Sequence, residues 1–128
     1  MHRPSLALFA LAPLTLLALA PAARAQDSGE TLFKRYCAIC HTVEPGKNKI
    51  GPSLYGVVGR KAGSVPGYDY SDANKKSGIT WTEAELDKYL ANPRQVVPGT
   101  KMLFVGLENP AERKAVIDYL KAQGESRD

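Results

Sequence analysis

The stretch "YCAICHTV", Tyr36 to Val43, holds both cysteines of this 128-residue chain. Cys37 and Cys40 stand two residues apart, and His41 follows at once. Three kinds of chemistry use two thiols and an imidazole this close. In an oxidising compartment the cysteines can pair as a disulfide. That leaves His41 unused, and the βαβ pattern of a C-x-x-C redox motif is missing. Zinc takes such donors too. Past residue 25, however, the chain has no second histidine and no third cysteine, so a carboxylate would have to complete the tetrahedron. The third chemistry uses every atom. C-x-x-C-H is the attachment pattern of c-type haem, in which both thiols add to the porphyrin vinyl groups as thioethers. On a helix, positions i and i+3 share a face and i+4 lies close by. Both sulfurs then reach one edge of the macrocycle while His41 rises to the iron.

The sixth iron ligand follows from an inventory. Apart from Met1, the only methionine is Met102. A methionine ordinarily fills gaps in a core. Met102 instead sits in "VVPGTKMLFVG", a loop after Pro98-Gly99, well placed to lean on a buried iron. Iron held by His and Met is an electron-transfer pattern, and the thioether raises the reduction potential. Such an iron has no open coordination site. A haem peroxidase or a gas sensor needs one, so Met102 argues against that rival and for a chain that is not an enzyme.

The elements that must position these residues read as all-α, about four helices with much loop. A helix is expected over 27–41, with Asp27 and Glu30 at capping-box spacing and Leu32, Phe33, Tyr36 and Cys37 on one face. From Thr42 to about Ser71 the chain is rich in Gly and Pro, a run of turns. Ser71 caps a short helix that Gly78 ends. "TEAELDKYLANP" is a clearer helix, with Thr82 and Glu85 as capping box and Pro93 as stop. "NPAERKAVIDYLKAQG" is clearest: Asn109 caps, Pro110 opens, Gly124 closes. No period-2 strand is convincing. A small domain with so long a loop needs something extra in its core, and a large apolar cofactor supplies it.

Residues 1–25 differ from the rest. A basic head, an apolar middle and the ending Ala23-Arg24-Ala25 describe a secretory signal peptide cut before Gln26. The apolar run is short for a membrane span and contains Pro13. Residues 26–128 then form one domain. Without Arg3 and Arg24 the 17 basic residues become 15, against 13 acidic, a formal +2. That is too weak a positive charge to suggest nucleic acid.

"CAICHTVEPGKNKIGPSLYGVVGRKAG", "YSDANKKSGITW" and "NPRQVVPGTKMLFVGL" resemble the class I cytochromes c, of the mitochondrial type and the bacterial cytochromes c2. The resemblance covers nearly all of residues 28–123, and the signal peptide points to the exported, bacterial branch. It implies a small cytochrome c fold around one covalent haem c. Cys37 and Cys40 would carry the thioethers, with His41 and Met102 axial. Pro52 would offer its carbonyl to the far nitrogen of His41, fixing ring and tautomer. Arg60, Tyr70 and Trp81 would surround the propionates. Asn74, Tyr89 and Thr100 would form a polar network near Met102, and Phe104 would cover the exposed haem edge. Gly29 and Phe33 would meet Tyr119 and Leu120 where the first and last helices cross. The implied protein is a monomeric periplasmic carrier between a bc1-type complex and a terminal oxidase or photosynthetic reaction centre. Lys47, Lys49, Arg94 and Lys101 fall at the family's docking positions. There are departures. The loop after His41 is one residue shorter than in the common mitochondrial pattern. Asn48 stands where a histidine is frequent, which puts a loop-bridging bond there in question. Glu108, Asn109 and Pro110 replace a lysine-rich stretch.

Overall fold

A computed structural model of the chain describes residues 25–125, together with Met1 and Ala20. The expected signal peptide lies almost wholly outside these. Among the described residues there are five helices: α1 (Gly29–Tyr36), α2 (Asp72–Lys76), α3 (Glu83–Ala91), α4 (Pro93–Val96) and α5 (Pro110–Glu125). Among the described residues, extended pairing is limited to an isolated antiparallel bridge between Lys61 and Thr80. None of the described helices is long and apolar enough to cross a membrane.

Helix starts follow the expected side chains, with one exception. Ser71 and Thr82 accept hydrogen bonds from the Asn74 and Glu85 N–H groups, satisfying donors that a helix start leaves open. Asn109 Oδ1 accepts from the Ala111 N–H at 2.9 Å. At α1 the cap is Ser28, not Asp27. The Asp27 carboxylate is drawn away to Arg35 at 2.8 Å. Helix ends depart further. Pro93 does not simply stop α3; with Asn92 as cap it opens α4, where the missing proline N–H costs nothing. Gly124 does not close α5, which continues through Glu125.

The first helix ends at Tyr36 rather than at 41. The Phe33 carbonyl accepts from both the Cys37 and Ala38 N–H groups, at 2.8 and 2.9 Å, which unwinds the α-helical ladder. A tight turn follows, with the Cys40 and His41 N–H groups both donating to the Cys37 carbonyl. In such a turn i and i+3 eclipse, so the two thiols still share a side. Outside partners complete it: Gly51 N–H donates to the Cys40 carbonyl and Lys49 Nζ to the Ala38 carbonyl.

The core joins the two ends of the described chain. α1 crosses α5, with the Phe33 and Tyr119 rings 5.5 Å apart. Leu32, Val116, Ile117 and Leu120 are buried there. A Cβ at Gly29 would run into the Ala115 carbonyl, so this crossing requires glycine. Arg113 ties α5 to α3 through Asp87 at 2.7 Å. Its Nη1 also donates to the Leu107 and Glu108 carbonyls, anchoring the segment that returns from Met102.

Candidate functional site

The CAICH turn places its imidazole against the loop that follows. His41 Nδ1 donates to the Pro52 carbonyl at 2.7 Å. That bond fixes the tautomer and leaves Nε2 with its lone pair. Burial pushes the His41 pKa down; the Pro52 bond pulls the other way, and the charges of Arg60 and Lys49 add to the lowering. The ring is thus held neutral, the form that ligates metal. Gly51 makes the approach possible, since a Cβ there would overlap the imidazole. Burial, helped by Cys40, raises the Cys37 pKa to about 11. Neither cysteine is in a disulfide. Among the described residues no group of three or more His, Cys, Asp and Glu is arranged to hold a metal ion, so the fourth ligand that zinc needs is not at hand.

Met102 comes from the opposite side of the sequence, held by a separate network. Its N–H donates to Thr100 Oγ1 at 3.2 Å. The Tyr89 hydroxyl lies 3.2 Å from the same Oγ1 and 4.0 Å from Met102 Sδ. Burial raises the Tyr89 pKa, with the Thr100 bond opposing, so the hydroxyl keeps its proton as a donor. The Tyr89 ring packs on buried Trp81, centroids 4.7 Å apart. Lys101 ties the same loop to Asp69, with Nζ 3.1 Å from both its carboxylate and its carbonyl.

The other expected residues divide into those brought together and those that stand apart. The Trp81 N–H donates to the Arg60 carbonyl, setting the two side by side. Arg60 Nη1 and Nη2 donate to the Tyr55 and Ser53 carbonyls, while buried Nε has no partner. Burial pulls the Arg60 pKa down. Tyr70 is buried, accepts from the Val65 N–H and meets the Tyr68 ring edge-on. Asn74 makes no bond to Tyr89, Thr100 or Met102; its Oδ1 is buried without a partner. Phe104 packs toward Tyr36, centroids 6.4 Å apart. Exposed Ile39, Leu103 and Val105 are its chain neighbours or sit in the CAICH turn. Sequence reasoning missed Gly51 and Ser53, the bond from Lys49 to the CAICH turn, and the part played by Asn48. Only Gly51 carried a signal, as the glycine of "GP" beside a site that needs close approach. Two surface depressions, one lined by Gln26, Asp27 and Lys114 and one by Gly56 and Gly124, lie away from all of these.

Comparison with known proteins identifies the family. Residues 26–123 match the family Cytochrome c. Cytochrome c2 iso-2 of Magnetospirillum molischianum is 60% identical over 85 residues, covering 66% of this chain and 88% of that protein. Cytochrome c2 of Rhodomicrobium vannielii is 60% identical over 96 residues, covering 74% and 76%. The solved structure of cytochrome cH from Methylobacterium extorquens superposes with a TM-score of 0.70 at 50% identity, covering 73% of this chain and 94% of that one. The chain belongs to the cytochrome c family, electron carriers with covalently bound haem c rather than enzymes.

Proposed function

We propose that this chain is a soluble, periplasmic one-electron carrier, with haem bound through Cys37 and Cys40 and iron held between His41 and Met102. It would relay electrons from a bc1-type complex to a terminal oxidase or reaction centre. The observation that carries the reading is the His41–Pro52 bond, which leaves one ring nitrogen free on the residue next to both thiols. Bound haem supplies an iron that accepts and returns one electron. The protein's part would be to hold the His41 and Met102 side chains rigidly toward it. Pro52 orients the imidazole, and Tyr89 and Thr100 steady the Met102 loop.

Two orphaned buried atoms support the fit. Arg60 Nε is a charged donor without an acceptor, and Asn74 Oδ1 an acceptor without a donor. Buried polar groups seldom stay unpaired. A carboxylate-bearing cofactor, with an ordered water, would satisfy both. Buried Trp81, Tyr89, Val97 and Leu107 exclude bulk water from the same interior. Export rests on the expected signal peptide over 1–25.

Substitution of the sulfur ligand tests the reading. Met102→Ala should leave haem attached, since both thiols remain. It should lower the reduction potential, because a ligand favouring Fe(II) is gone. The oxidised protein should lose its weak near-infrared iron–sulfur band. Survival of both band and potential would show that Met102 only fills the core.

A further inference from the structure

The Pro52 carbonyl and the Ser53 N–H are two ends of one planar peptide unit. Both ends are engaged. His41 Nδ1 donates to the carbonyl at 2.7 Å, and the Ser53 N–H donates to Asn48 Oδ1 at 2.9 Å. The far end of the same carboxamide, Asn48 Nδ2, donates to the Pro66 carbonyl at 3.2 Å. A continuous row of hydrogen bonds thus runs from the imidazole, through two amide groups, to the 63–67 loop. Every donor in it points the same way. Flipping the Asn48 amide would set donor against donor at Ser53 and acceptor against acceptor at Pro66, so its orientation follows from its partners.

Amides in such a row polarise one another, by about 10–30% per bond. An N–H that donates makes its own carbonyl a stronger acceptor. A stronger Pro52 acceptor draws the Nδ1 proton further from the ring and makes Nε2 more electron-rich. We propose that Asn48 is a positioning residue for electron transfer: it tunes the His41 imidazole through the Pro52–Ser53 peptide. The inference rests on the reading of His41 as an iron ligand. Its sign is definite, since an electron-rich imidazole favours Fe(III) and lowers the reduction potential.

The surroundings separate this role from simple bracing. Ser53 is only 2% exposed and has further anchors. Its Oγ donates to the Glu44 carbonyl, and its carbonyl accepts from Arg60 Nη2. The peptide therefore keeps its place when Asn48 is cut back, and what changes is its polarisation.

Asn48→Ala removes both of the side chain's bonds. Asn48→Asp loses the bond to Pro66 but offers Ser53 a charged acceptor, which forms a stronger hydrogen bond. The His41 Nδ1 proton, followed by NMR in the reduced haem-bearing protein, reads the effect directly. It should move upfield in Asn48→Ala and downfield in Asn48→Asp, and Asn48→Ala should have a raised reduction potential. Asn48→Ser, a shorter neutral acceptor, should fall between wild type and Ala. A brace between loops is weakened in both main variants, so shifts of the same sign, or none, would overturn the relay. If the wild-type reduced protein lacks a His41 Nδ1 proton with the signature of an iron-bound imidazole, the ligation reading falls, and the relay with it.

Discussion

At the scale of single residues, the site depends on close approach as much as on donors. Gly51 lies close against the His41 ring, and an added Cβ would overlap it. Gly51→Ala should therefore tilt the imidazole or displace the Pro52 carbonyl. Overpacking of this kind costs about 1–3 kcal/mol, measurable as a lower denaturation midpoint of the haem-bearing protein. A near-infrared or NMR signature of altered ligation should accompany it, and a variant unchanged in both would show that the loop yields freely. C-x-x-C-H proposes its chemistry by spacing alone. Met102 stands out as a candidate because so few soft ligands are available. For Gly51 and Asn48 the sequence offered a GP dipeptide and a departure from the family pattern, but not their partners, which exist only once residues 41, 48, 53 and 66 meet. No local pattern marks a glycine that lies against a ring, or an asparagine whose partners are 5 and 18 residues away.

At the scale of elements, the crossing of α1 and α5 anchors the helix that leads into the CAICH turn. Gly29 brings the two helix backbones together, and a Cβ there would also press on Tyr119. Gly→Ala in a helix is worth at most about 1 kcal/mol in its favour. A backbone collision outweighs that, so Gly29→Ala should destabilise the protein by about 1–3 kcal/mol, as read by guanidinium unfolding. Equal or greater stability would mean that α1 slides without loss. Helices whose ends are set by their own caps were readable: Ser71, Thr82 and Asn109 each serve as expected. The end of α1 was not. Its apolar face continues past Tyr36, but the doubly bonded Phe33 carbonyl and the contacts from Lys49 and Gly51 end the helix there. These are tertiary partners, outside the reach of periodicity.

At the scale of the whole molecule, the structure changes the weight of the docking charges. Lys47 is paired with Glu44 and Lys101 with Asp69, so part of the basic face is neutralised from within. Beside it, Leu103 and Val105 are 82% and 86% exposed. Steering by charge weakens as salt screens it. Electron transfer to a bc1 complex or oxidase should slow as salt rises, less steeply than for a lysine-rich relative. Lys101→Glu should slow association more than Lys121→Glu. The comparison is balanced, since Lys121 also loses an acidic partner, Glu83. Equal effects in stopped-flow measurements, or a rate indifferent to salt, would count against a localised basic face.

The pairing of α1 with α5 also sets an order of events in the making of the protein. α1 (Gly29–Tyr36) is made before α5 (Pro110–Glu125), so until α5 is delivered α1 lacks the face it packs against. In the folded chain the first of the two cysteines, Cys37, packs against the buried core. Its thiol is then pushed up to about 11 by burial and holds little of the nucleophilic thiolate. The open chain, not the finished fold, is thus the better substrate for joining cofactor to protein. A molecule whose α1 and α5 must meet to fold would keep the cysteines that follow α1 accessible until both helices have been made.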